Sequence, residues 1–373
     1  MSSAGGKLLD ALVVGAGPAG LAASRALQRR GISHRVLERG DQAAAVWANL
    51  YDSLTLHTGR HMSSLPERRF ASGTPMFVPR RDFVRYLQDY AAAFGLPVDV
   101  NVDVRSMHPN GNGWVAETSR GLLSSRTVVL ATGIVSNPRW PKLEGMAEYA
   151  GRLLHSSDYK RPQAFAGQRV LVVGVGNSGG EIGSELARSG STVTVAVRSG
   201  ANVVPLEIGG IPIQYLSFWL RKLPRGAQHW VSERVRLMSE RKHGPPVLPR
   251  PAHSALDAIP LIGFNLVNAI RDGSIAVRPA LERLTVAGAR FADEREEPFD
   301  AIILATGFNA AVQPLGDLVQ LDAQGFARRR DRVVSNDQPG LFLIGHNYDS
   351  GGGISNIRWD APRVAARVAD ALR

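Results

Sequence analysis

Two glycine-rich turns, each set between an apolar strand and a helix, predict an α/β fold of two nested Rossmann-like dinucleotide-binding domains. The first reads GAGPAG, Gly15 to Gly20, after LDALVV; the second reads GVGNSGG, Gly174 to Gly180, after QRVLVV. A third observation sets the nesting. Two apolar segments, SRTVVLATG at 125–133 and FDAIILATG at 299–307, both end in Ala-Thr-Gly. They are expected to return the chain to an outer domain on either side of an inserted one. The division expected is 1–158 with 298–373 for the outer domain and 159–297 for the inner.

The elements follow in order. ALVV is a buried strand, LAASRALQRRG a helix that stops at Gly31, and SHRVLER a second strand. DFVRYLQDYAAAF at 82–94 has helical apolar spacing, with Asp82 as its cap. QRVLVV, EIGSELARSG and STVTVAVRS repeat strand, helix and strand, in a unit of about 30 residues like the first. Residues 212–240 read as one or two amphipathic helices, followed by the Pro-rich GPPVLPRPA at 244–252. The chain ends in a glycine turn entering a helix, GGGISNIRWDAPRVAARVADALR.

Composition bounds the function. The 373 residues, 44% hydrophobic and 21% charged, suit about two globular domains. No apolar run approaches the ~18 residues of a membrane span, and the N-terminus lacks a signal-peptide layout, so a soluble cytoplasmic protein is expected. Cysteine is absent, which excludes disulfides, thiolate metal sites and cysteine-pair redox relays. No metal site is expected. The net charge is +11, but arginine is scattered apart from runs such as RRR at 328–330. The expected partner is therefore a small-molecule substrate and not nucleic acid; a homodimer stays open.

In such turns the first glycine permits a tight bend, the second lets backbone approach a pyrophosphate, and the third lets helix pack on strand. The helix start offers free N–H groups and partial positive charge. The candidate cradles are Gly15, Ala16, Gly17, Pro18, Ala19 and Gly20, and Gly174, Gly176, Asn177, Ser178 and Gly179. The residue closing each second strand says which nucleotide binds. Glu38, followed by Arg39, lies 18 residues past Gly20; a carboxylate accepts ribose hydroxyls and repels a 2′-phosphate. Arg198, with Ser199, lies 19 residues past Gly179; guanidinium and hydroxyl suit a 2′-phosphate, the alternative being a solvated arginine. The first turn should hold FAD or NAD, and the second NADPH in preference to NADH. Val104, Ala131, Thr132, Gly133, Thr306 and Gly307 join the candidate cofactor set. Gly353 and Ser355 join it from SGGGISN (350–356), whose N–H groups can face the flavin N1/O2 edge.

Electrons from a reduced flavin can pass to a quinone, an iron–sulfur protein or oxygen; without cysteine they cannot pass through a disulfide relay. YAGRLLHSSDYK at 149–160 bears on the choice. With Tyr149 for the usual leading Phe, then Gly151, His155 and Tyr159, it resembles the FxGxxxHxxx(Y/F) pattern of class B flavin monooxygenases. Baeyer–Villiger relatives carry Trp at the last position. VWANLYDSLTLHTGRHMSSLP (46–66), GNSGGEI (176–182), VRSGANVVPLEIGG (197–210), LPRP (248–251) and DAIILATGF (300–308) are similar to the YUCCA-type group. The resemblance covers nearly the whole chain.

It implies that NADPH reduces FAD and that NADP⁺ stays bound. Reduced flavin then takes O₂ at C4a as a hydroperoxide, which passes one oxygen atom to nitrogen, sulfur or a carbonyl carbon. Trp47 matches a tryptophan near the flavin ring, or is a core aromatic. His57, where animal-type members have asparagine, is a donor to flavin N5 or the peroxide, or a structural histidine. Arg60 stands near the matching lysine; His57 and Arg60 are the candidate catalytic residues. Asn177 and Ser178 cap their helix or bind phosphate. His155 is expected to organise the linker between domains and Tyr159 to lie at their seam. The 212–240 helices are left as a lid, a membrane-surface patch, a dimer contact or a buried face. An NAD(P)H oxidase, a quinone or ferredoxin reductase, and a non-catalytic flavin sensor remain the rival readings. An indolic 2-oxo acid is one substrate the resemblance allows.

Overall fold

The computed structural model describes residues 8–220, 222–255, 258–347 and 352–373. The chain divides into two compact units. The first comprises Met1–Asn49, Leu54–Asn137 and Phe308–Arg373, and the second Leu50–Ser53 and Pro138–Gly307.

In the first unit the strand Leu9–Val14 is flanked in parallel by His34–Leu37 and Gly121–Leu130, with Val13 opposite both Val36 and Val129. Leu341–Leu343 adds to the outer side of Gly121–Leu130. Leu12, Val13, Val128, Val129 and Leu130 are all buried. A parallel sheet covered on both faces requires such continuous apolar runs. The helix Pro18–Gln28 starts with Pro at its first turn, where the missing N–H costs nothing. It packs with the last helix, Gly353–Leu372, burying Leu21, Leu27, Val364 and Val368 in one cluster. The helix expected at 82–94 runs Arg80–Ala93, and Asp82 makes no capping bond. It lies inside the first turn, where its charge still favours the helix dipole.

The second unit repeats this plan. Arg169–Val173 is flanked in parallel by Thr192–Ala196 and Ala301–Leu304, and the helix Asn177–Arg188 follows its glycine turn. This corrects the expected domain boundaries. The second Ala-Thr-Gly strand does not return to the outer unit: it pairs with Arg169–Val173 on one side and with Arg152–His155 on the other. Each Ala-Thr-Gly strand takes the same place in its own unit, parallel and next to the strand that leads into the glycine turn. Residues 138–158 and 298–307 therefore belong to the second unit, as does Leu50–Ser53. Tyr159, expected at a seam, is fully buried in the second unit, its ring 5.8 Å from Phe165.

Residues 212–240 form two helices, Ile213–Leu220 and Arg225–His243. Among the described residues no helix is long and apolar enough to cross a membrane.

His346, just beyond Leu341–Leu343, is 1% exposed, and neither ring nitrogen has a hydrogen-bond partner among the described residues. Burial pushes its pKa down to about 4; Arg329 adds to the effect and Asp322 opposes it. Below about pH 6.5 the unfolded chain takes up this proton and the folded chain does not. Stability contributed by neutral His346 is therefore complete above that pH and is lost as pH falls toward 4. Chemical denaturation at a series of pH values is expected to show His346→Phe losing roughly 3 kcal/mol less than wild type over that interval.

Candidate functional site

At the first turn, Gly15 has φ 101° and Gly17 is the extended residue before the helix. A Cβ on Gly15 would stand 2.8 Å from the Ala131 carbonyl oxygen, and one on Gly20 would stand 1.8 Å from that of Gly15. A Cβ on Gly17 would meet nothing within 4 Å. Two glycines thus make room for the protein's own backbone, and the middle one opens onto free space at a helix start. A pyrophosphate fits there. Glu38 is buried, and its oxygens accept the N–H of Ala16 at 2.8 Å and of Gly40 at 2.9 Å. A carboxylate has about four acceptor positions, so two remain for ribose hydroxyls. Arg39 points to solvent.

Ala131 closes onto this turn, its N–H donating to Val14 at 2.9 Å. Thr132 Oγ1 donates to the Ala311 carbonyl, and the Gly133 carbonyl accepts the Ala311 N–H at 2.9 Å. These two residues tie the end of their strand to the returning segment. The Val104 side chain is taken up by the core with Leu12 and Leu37, which leaves only its main chain for a ligand. Ala19 is buried, and a Cβ on Gly345 would come 3.0 Å from its methyl.

Trp47 lies half-buried in the short helix Ala45–Ala48, with Phe83 edge-on at 4.8 Å. The preceding Ala44 donates its N–H to Ala16 at 3.0 Å, tying this helix to the glycine turn. His57 is half-buried in Thr55–Gly59, paired with Phe77–Pro79. Arg60 donates its N–H to Met76 at 2.7 Å and its guanidinium to the Thr74 carbonyl. It therefore fastens this ribbon to the 74–76 loop. A Cβ on Gly352 would stand 2.8 Å from Thr58 Cγ2, and Arg358 donates to the carbonyls of His61 and Ser64. The structure thus sets the ribbon carrying His57 against the start of the last helix, where Gly353 and half-buried Ser355 lie. Residues 350 and 351 of the quoted turn lie outside the described residues. Sequence reading missed Asp360. It is fully buried, paired with Arg332 at 2.7 Å, and accepts from Asn347 at 2.6 Å.

The second turn has the same geometry. Gly174 has φ 102°; Cβ atoms on Gly174 and Gly179 would meet the carbonyl oxygens of Ala305 and Gly174 at 2.7 Å and 2.1 Å. One on Gly176 would meet nothing within 4 Å. Asn177 does not cap its helix. Its Oδ1 accepts the Ile262 N–H at 2.8 Å and its Nδ2 donates to Pro260 at 3.2 Å, so the amide anchors a distant loop. Ser178 hydrogen-bonds Tyr51, whose hydroxyl donates to Glu181. Tyr51 was another residue without a sequence signal. Tyr159 donates to Glu185 at 2.8 Å.

His155 is fully buried; its Nδ1 accepts the Ser157 N–H and its Nε2 faces the Gly307 carbonyl, both at 3.1 Å. This sets the Nε2–H tautomer, and burial holds its pKa below the usual histidine value. It joins the ends of two neighbouring strands. Thr306 Oγ1 donates to Arg139 at 2.5 Å. Gly151 leaves room for Tyr149, since a Cβ there would stand 2.3 Å from the phenol oxygen. Arg198 and Ser199 are exposed just past Thr192–Ala196.

The chain matches the family described as pyridine nucleotide-disulphide oxidoreductase over residues 12–204. It is 34% identical over 379 residues to indole-3-pyruvate monooxygenase YUCCA1 of Oryza sativa subsp. japonica, covering 96% of this chain and 91% of that one. The chain belongs to the YUCCA-type flavin monooxygenases. A second YUCCA-type relative, YUCCA4 of Oryza sativa subsp. japonica, is 32% identical over 97% of this chain and 88% of its own length. The fold is that of a flavin-containing monooxygenase from Stenotrophomonas maltophilia, with TM-score 0.78, 23% identity and coverage of 98% and 99%. A bacillithiol disulfide reductase from Bacillus cereus shares it at TM-score 0.72 and 19% identity, covering 98% and 99%. Fold alone therefore does not separate the two chemistries. This chain has no cysteine, so no thiol pair of its own can carry electrons.

The glycine geometry can be tested directly. Gly17→Ala and Gly176→Ala are expected to melt as wild type but to weaken dinucleotide binding at least about tenfold, because the added methyl meets no protein atom and enters only the open space at the helix start. Gly20→Ala and Gly179→Ala press a methyl into backbone and are expected to lose about 3 kcal/mol of stability or more. Thermal melts beside NADP⁺ and flavin titrations read both effects.

Proposed function

We propose that this chain is an NADPH- and O₂-dependent monooxygenase. In this reading it holds FAD on the Gly15–Gly20 turn and NADP(H) on the Gly174–Gly179 turn, and inserts one oxygen atom into a small organic substrate. The observation that carries the reading is the pair of cradles, alike in backbone and opposite in charge. One closes on buried Glu38 and the other on exposed Arg198.

Bound FAD, reduced at the expense of NADPH, supplies the activation of O₂. The chain's own groups bind, orient and exclude water. Glu38 holds the first turn and receives ribose hydroxyls. The helix start at Gly353 and Ser355 directs N–H groups and positive dipole at negative charge on the flavin. Trp47 offers a flat apolar wall, and His57 an N–H donor. Arg60 keeps the ribbon of His57 in place through Thr74. Ala131, Thr132, Gly133, Thr306 and Gly307 shape the strand ends of the two cradles. Arg198 and Ser199 receive the 2′-phosphate. The name of the rice relative gives indole-3-pyruvate as its substrate, and we extend that class, an aromatic 2-oxo acid, to this chain. A chain with no disulfide to form is in keeping with the cytoplasm.

Arg198→Ala is expected to raise KM for NADPH at least about tenfold while changing that for NADH little, since a charge-assisted contact contributes roughly 1.5–3 kcal/mol. Equal effects on both would remove the assignment. The reaction class is tested by turnover under isotopically labelled O₂ with aromatic 2-oxo acids, amines and sulfides. One labelled oxygen atom in the product is expected; NADPH consumption that yields only hydrogen peroxide would make the protein an oxidase.

A further inference from the structure

The helices Ile213–Leu220 and Arg225–His243 contribute no residue to either cradle. The first reads IQYLSFWL, yet its one buried residue is Gln214, whose Oε1 has no hydrogen-bond partner among the described residues. Its apolar residues Leu216 and Trp219 face solvent, Trp219 at 64% exposure. The second helix has no buried residue at all. Trp230, Arg234, Leu237, Met238 and Arg241 fall at helical spacing on one of its faces, and all five are exposed. Ile211 and Leu223, in the chain before each helix, are exposed as well.

Its charge is one-sided. Residues 213–243 carry seven Lys and Arg against two carboxylates. Both carboxylates are engaged: Arg236 binds Glu233 and Glu240, and Arg250 also reaches Glu240. Lys222, Arg234, Arg241 and Lys242 have no carboxylate partner among the described residues. Two of these cations sit on the exposed rings: Lys222 lies 4.3 Å from the Trp219 centroid and Arg234 5.2 Å from that of Trp230. Protein interfaces take up arginine but are depleted of lysine, and here Lys222 lies on an exposed indole. Here the cations stand among the indoles, which is the order of groups at a lipid headgroup boundary.

We propose that these two helices form a peripheral docking surface for an anionic phospholipid bilayer. Trp219, Trp230, Leu237 and Met238 enter the boundary with the acyl chains, and Lys222, Arg234, Arg241 and Lys242 meet the phosphates. The attraction is reversible and weakens with salt.

The test is co-sedimentation of the full chain with phosphatidylcholine vesicles, with and without phosphatidylglycerol, read beside tryptophan emission. Binding to the anionic vesicles alone, lost at high salt and accompanied by a blue shift, is expected. Arg234→Gln with Arg241→Gln should weaken it roughly thirtyfold, and Trp219→Ser with Trp230→Ser should remove the blue shift, both without changing the thermal melt. No binding to anionic vesicles at low salt, or equal binding to neutral ones, overturns the proposal. So does self-association in analytical ultracentrifugation that the tryptophan variants abolish, which would give the face to a second copy of the chain.

Discussion

In each unit a carbonyl oxygen stands where a side chain on the first glycine of the turn would begin. The oxygen is that of Ala131 at 2.8 Å in one and of Ala305 at 2.7 Å in the other. This approach draws the end of the Ala-Thr-Gly strand against the bend of the turn. A second contact, the third glycine against the carbonyl of the first, lays the helix on the same bend. Together they aim a helix start at open space beyond the middle glycine. Any Cβ at the outer glycines would separate strand, turn and helix at once, so the cradle and the sheet stand or fall together.

The polar groups around each cradle have two tasks. Glu38 is a ligand group in the sequence reading, and in the structure it first holds two backbone N–H groups that burial would otherwise leave unpaired. Asp360 works the same way for the last helix. As a fully buried carboxylate it is tolerable only because Arg332 and Asn347 satisfy it. Asn347 also accepts from Asn356, in the first turn of that helix. The second cradle is braced from elsewhere in the chain, by Tyr51 on Ser178 and Glu181, and by Asn177 reaching the backbone of 260–262.

The two turns, their strands and helices, and the opposite charges of Glu38 and Arg198 were readable in sequence, because each rests on spacing within about 30 residues. The pairing of the second Ala-Thr-Gly strand was not. Ala301–Leu304 lies more than a hundred residues from the strand it pairs with, and its short apolar run fits either sheet equally well. Asn177 had two readings in sequence, a helix cap or a phosphate ligand; the structure gives its amide to the backbone of 260–262, a competitor that local rules do not see. The exposed face of residues 213–243 was left open between burial and several kinds of contact. Periodicity places apolar residues on a face but does not say what the face meets.

By itself, then, the amino-acid order determined the local units and the sign of the charge that closes each turn, since bends, helix starts and charged side chains are properties of neighbouring residues. Tertiary structure alone decided which strand joins which sheet. It also decided which polar side chains are spent on holding backbone, and which apolar ones stay outside. Those outcomes depend on atoms far apart in the chain competing for the same space and the same hydrogen bonds, a contest settled only when the whole chain has packed.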